Sequence, residues 1–203
     1  NIEHDNTPWV LPDGRILYTR WEYVDRSQSH FHHLWTTNPD GTSQMVYYGN
    51  QHPGYTMIDA KPIPGTLKTV VSFSPGHGRP EHAGYVTVVD PSLGPDAQQS
   101  AVRISSDGPV YRDPYALSEE YFLVAREGEI LVMQKDGYTA CLYALGDGDA
   151  GRFCHEPRPL RVRKRERVIP PRVDMDKKTG RLFLADIYEG RSMEGVEQGE
   201  IKE

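Results

Sequence analysis

Two cysteines among 203 residues, neither in a Cys-x-x-Cys nor a Cys-x-x-Cys-His setting, leave the chain without a haem attachment or zinc ribbon of its own. Cys141 and Cys154 could pair in an oxidising compartment, or sit as small buried apolar groups, the commoner fate. No apolar run approaches the roughly 20 residues of a membrane-spanning helix, and no signal-peptide core is present. Helical heptads are absent. Basic excess is absent too: a net charge of −6 argues against a nucleic-acid binder, which needs a cationic footprint to neutralise phosphates. There is no phosphate loop, and Ser74 and Ser118 have no acid–base relay close to them in sequence, which disfavours hydrolysis by a serine nucleophile.

The sequence is instead rich in punctuation. Nineteen glycines and sixteen prolines, with only 37% hydrophobic residues, suit many short strands joined by turns. Residues 11–49 define the unit. A short extended stretch, Thr7-Pro8-Trp9-Val10-Leu11, turns at Pro12-Asp13-Gly14 into an alternating run through Ile16, Tyr18 and Arg20. A second long strand over 34–38 follows, then the tight turn Pro39-Asp40-Gly41-Thr42 and a third over 44–48. The unit recurs with strands at 68–74, 84–90 and 101–105, then at 121–126, 130–134 and 139–145, and a fourth time from Pro171 with a strand at 181–188.

Repeats beginning near residues 7, 57, 109 and 171 have the period of propeller blades, about 40 to 50 residues plus insertions. The expected fold is therefore all-β, a partial β-propeller of three complete four-stranded antiparallel blades (7–50, 57–106 and 109–146) plus most of a fourth (171–203). A ring typically needs 4 to 8 blades, and the chain opens at Asn1 and stops in charged sequence at Glu203. It is expected to be one propeller segment of a larger multidomain protein.

Alternating strand direction sorts the loops onto two rims, and all eight histidines map to one of them. His30, His32 and His33 fall in or at the end of one loop, His77 and His82 in the loop Gly76-His77-Gly78-Arg79-Pro80-Glu81-His82, and His4, His52 and His155 in blade entries and crossovers. Imidazole titrates near neutrality and is the commonest nitrogen ligand. His32, His33, His77, Glu81 and His82 are thus the candidates for metal or cofactor contact, against the plainer reading of solvated loop histidines. Arg161, Arg163, Lys164 and Arg165 belong to a basic, proline-interrupted strap that either grips an acidic partner or is a solvated linker. Asp147-Gly148-Asp149 lacks the spacing of a calcium loop and reads as a turn.

Five stretches, 12–26, 32–50, 61–91, 113–125 and 186–202, resemble the middle domain of the hydrazine synthase alpha subunit and its planctomycete-type relatives. Within them, residues 19–26 and 76–84 are similar beyond generic propeller patterning, and the Pro-Asp-Gly units more loosely resemble TolB-type repeats. The resemblance implies a periplasmic or otherwise exported multidomain protein. Its namesake makes hydrazine at c-type haems in a multisubunit complex. No intrinsic cofactor is expected here; a haem or transition metal would be shared with a neighbouring domain, and none of the family's catalytic or metal-ligand residues is carried over to this chain. The partners implied are other domains of the same parent chain or a partner subunit. Two expectations follow: a binding or scaffold propeller module, or part of an oxidoreductase site with the haem attached elsewhere.

Overall fold

The structure is a computed structural model, describing residues 3–23, 26, 30–76, 82–149, 151–190 and 193–201. Residues 3–172 within it belong to one compact unit and those from 173 onward to a second. Among the described residues of the first unit twelve strands run in chain order: β1 (Glu3–Val10), β2 (Ile16–Glu22), β3 (His32–Thr37), β4 (Met45–Tyr48), β5 (Thr56–Pro62), β6 (Thr69–Ser74), β7 (Tyr85–Val89), β8 (Ala101–Arg103), β9 (Arg112–Ala116), β10 (Tyr121–Arg126), β11 (Glu129–Gln134) and β12 (Thr139–Ala144). They form three successive antiparallel meanders of four strands. The first two join into one eight-stranded sheet through a single parallel pairing, His32 opposite Thr56; the third is a separate sheet.

Turn chemistry sets the meanders. Leu11 N–H and Gly14 N–H close the Pro12-Asp13-Gly14 turn on Arg15 and Leu11 carbonyls, and Asp40 accepts from Thr42 N–H at 3.0 Å in the next. Glycine at 14 and 41 supplies the positive φ, 91° and 80°, that such turns demand.

The core lies between the meanders. Leu17, Leu34, Tyr48, Met57, Val71 and Phe73 fill the space between the first and second meanders. Val70, Val86, Tyr111, Phe122, Leu131 and Met133 fill that between the second and third. β6 alternates between these two clusters, Val71 and Phe73 to one side and Val70 to the other, so all six of its residues are buried. A twisted four-stranded sheet cannot cover both its faces alone, and here each uses its neighbour. The first strands lie close together: β5 packs on β1 and β2 on one side and on β9 on the other.

Three expectations need correcting. β3 begins at His32 rather than near Leu34, because Trp21 and Arg20 continue the ladder to His32 and His33. Cys141 and Cys154 are both free thiols, the first exposed and the second buried, so the buried-thiol reading holds for Cys154 alone. The expected fourth blade has no strand among the described residues of 173–201, including 181–188, where Leu182 and Phe183 are 94% and 90% exposed. The backbone bonds there are turn bonds such as Lys177 N–H to Asp174 O and Met193 N–H to Gly190 O. A strand-forming run without a partner strand leaves its peptide groups to water, and propensity alone does not hold it extended.

Candidate functional site at the first strands

Each first strand carries one residue of left-handed backbone at the same place: Thr7 (φ 45°), Asp59 (φ 56°) and Asp113 (φ 53°). At each, the register with the second strand slips, between Asn6 and Trp9, between Ile58 and Lys61, and opposite Leu123 and Ala125. These are β-bulges, in which an extra residue is left out of the ladder and the strand bends. Asp tolerates the left-handed region by bonding locally, whereas β-branched Thr is strained there. Pro8 and Pro114 follow directly, at positions where a missing N–H costs no ladder bond.

The bulges tie the meanders together. Thr7 Oγ1 accepts from Asp59 N–H at 3.2 Å and sits 3.2 Å from Thr19 Oγ1, which donates to Met57 O at 2.5 Å. Asp113 Oδ2 accepts from Glu156 N–H at 3.0 Å and lies 3.1 Å from His155 Nδ1. Carboxylate oxygens of Asp59, Asp113 and Glu156 come within 4.8 Å of one another, the one grouping among the described residues that could hold a metal ion. An all-carboxylate set suits a hard cation of the calcium or magnesium kind. Positive charge is already supplied from within: Lys61 Nζ lies 3.8 Å from Glu156 Oε2, and Arg158 clasps the same oxygen at 2.6 and 3.0 Å.

Burial governs the electrostatics. Desolvation pushes the Asp59 carboxyl up to about 6, against the pull of Lys61, with Asp113 and Glu156 adding to the rise. Desolvation likewise lowers Lys61, the three carboxylates opposing it. Trp9 caps the cluster: Lys61 Nζ is 5.5 Å from its ring centre, Arg158 4.7 Å and Arg163 5.8 Å, and Tyr115 meets it edge-on at 6.2 Å.

The histidines of the candidate set do not gather here. His32 and His33 are buried on β3, 5% and 0% exposed. His32 stacks on Trp21 at 5.0 Å, and Trp21 stacks on His4 at 5.0 Å, a ladder across three strands. His33 Nδ1 donates to Gly49 O at 2.6 Å, and burial, with Arg26 adding to it, drives its pKa down to about 3. Both rings are thus packed against aromatic neighbours within the sheet, His32 on Trp21 and His33 on Phe31 at 5.2 Å. His82 is exposed, on a left-handed backbone (φ 48°). His77 and Glu81 lie outside the described residues. By strand direction, His4, His32, His33, His52 and His82 do share one edge of the meanders, and His155 meets Asp113 near the start of β9. Arg161, Arg163, Lys164 and Arg165 are exposed, Arg163 also 3.5 Å from Glu166.

Asp59, Asp113, Glu156, Lys61 and Trp9 were not singled out by sequence as a site. A signal was present: a Thr or Asp followed by Pro or Ala opens each of the three meanders, at Thr7-Pro8, Asp59-Ala60 and Asp113-Pro114, and Glu156-Pro157 follows the last strand. Comparison with family models, with curated proteins and with solved structures found no match to this chain.

Proposed function

We propose that this chain is a β-propeller module of binding or scaffold type, part of an exported multidomain protein of the hydrazine synthase alpha-subunit middle-domain kind. It presents its histidine-bearing edge and basic strap to another domain, subunit or ligand. One observation carries the reading: three four-stranded meanders pack face to face with their first strands β1, β5 and β9 as neighbours, as blades do about an axis. Charged groups near those strands bond to one another and to backbone, which favours holding over chemistry. The exposed strap, with Arg161, Arg163, Lys164 and Arg165 on an otherwise acidic chain, suits an acidic partner surface.

Metal analysis and haem titration of the wild type beside His77→Ala and His82→Ala test this. The scaffold reading expects no bound transition metal and no change in the haem spectrum. Stoichiometric haem or metal binding that the substitutions abolish would transfer the histidine edge to an oxidoreductase site. Replacing Arg161, Arg163, Lys164 and Arg165 together by Glu should weaken association with the parent's neighbouring domains at least tenfold, and the wild-type association should weaken with salt.

A further inference from the structure

The motif that opens each meander occurs once more after the last strand. β1 reads Thr7-Pro8-Trp9-Val10 with Leu11 next, β5 reads Asp59-Ala60-Lys61-Pro62 with Ile63, and β9 reads Asp113-Pro114-Tyr115-Ala116 with Leu117. Residues 156–160 read Glu156-Pro157-Arg158-Pro159-Leu160. The backbone agrees, with Glu156 at φ 48° beside 45°, 56° and 53° for its counterparts. The tie agrees as well. Glu156 N–H donates to the side chain of Asp113, the bulge residue of the preceding repeat, as Asp59 N–H donates to that of Thr7. The third residues of all four motifs, Trp9, Lys61, Tyr115 and Arg158, meet around the Trp9 ring. Two features depart: residues 156–160 form no strand, and where Leu11 and Ile63 are buried and Leu117 half-buried, Leu160 is fully exposed, with no second strand folded over it among the described residues.

The segment then runs on to the first meander. Arg167 N–H donates to Pro12 O at 3.2 Å at the β1–β2 turn, and Arg172 N–H donates to Asp40 Oδ2 at 2.5 Å at the β3–β4 turn. Its beginning is held by Cys154 N–H on Glu127 O, at the β10–β11 turn, at 2.7 Å.

We propose that residues 154–172 are a latch: residues 154–160 take the first-strand place of a fourth repeat against the Asp113 bulge and Trp9, and the stretch beyond fastens the third meander to the first. One continuous strap carries both anchorages, so loosening one loosens the other. A set of unrelated surface contacts would not behave in this way.

Hydrogen exchange read by mass spectrometry on the whole chain tests the coupling. Asp113→Ala removes the acceptor of Glu156 N–H. Arg158→Ala with Arg163→Ala removes the two strap cations over Trp9 without touching a sheet. In both variants exchange should quicken at least tenfold at 154–157 and also at Arg167, while β10 and β11 keep their protection. Unchanged exchange at Arg167 in the double variant, with 154–157 released, makes the anchors independent and overturns the latch. If Asp113→Ala also loses protection in β10 and β11, it reports on the sheet, and the double variant decides alone.

Discussion

His33 is buried and Asp59 half-buried, and the contributions of these two titratable side chains to stability run in opposite directions with pH. His33 in the folded protein titrates at about 3, below the ordinary 6.5, so the unfolded chain takes up a proton that the folded chain refuses. Its stabilisation is complete above pH 6.5 and is lost as pH falls toward 3; on the order of 2 kcal/mol is gone by pH 5. Asp59 titrates at about 6, above the ordinary 3.8, so its contribution is complete below pH 3.8 and is lost as pH rises through 6. Between pH 7.5 and 5 the two partly cancel. Asp59→Asn, which keeps a side chain suited to left-handed backbone and removes the half-buried charge, should stabilise the protein at pH 7.5 by about 1–3 kcal/mol. It should also steepen the fall to pH 5. Urea unfolding at the two pH values checks this, and an Asn variant less stable than wild type at pH 7.5 would refute it. Neither side chain's burial was legible in sequence: His33 looked like a loop residue and Asp59 like part of a strand opening. Whether a histidine is interior depends on which groups close around it, Trp21 on His32 and Phe31 and Gly49 on His33.

At the scale of elements, the Pro12-Asp13-Gly14 turn does two jobs. Gly14 has φ 91°, and a Cβ there would strike the carbonyl oxygen of Arg167 and come within 3.1 Å of Ile169 Cγ1. Gly41 has φ 80° with open space around it. Gly41→Ala should therefore cost only the backbone strain, about 1 kcal/mol, whereas Gly14→Ala adds displacement of the strap and should cost about 2–3 kcal/mol. Equal denaturation midpoints for the two variants would show that the strap gives way freely. Turns and long strands were readable because alternation and Pro-Asp-Gly punctuation are local. The strand ends were less so, since β3 is extended to His32 by the ladder from β2. The run at 181–188 has strand composition and no strand, because pairing is a property of neighbours.

Across the whole of the first unit, the second meander is packed on both faces. Val70 faces the third meander and Val71 the first, and both are fully buried. Each Val→Ala change should destabilise by about 1–3 kcal/mol and, since the cavities open into separate clusters, the pair should add to within about 0.5 kcal/mol. Thermal melting of the single and double variants measures this; strong non-additivity would mean that the two faces share one core. The same stacking brings together residues from all three meanders and from the segment that follows β12.

The sequence by itself determined the long strands of residues 7–146 and the turns between them, since each follows from alternation and backbone chemistry within a few residues. The tertiary structure alone decided that Trp9, Lys61, Tyr115 and Arg158 meet, that Asp59, Asp113 and Glu156 stand within 4.8 Å of one another, and that His32 and His33 are interior. Those outcomes depend on how sheets stack across separations of about fifty residues, where burial and bulge-to-bulge hydrogen bonds, rather than local propensity, choose the contacts.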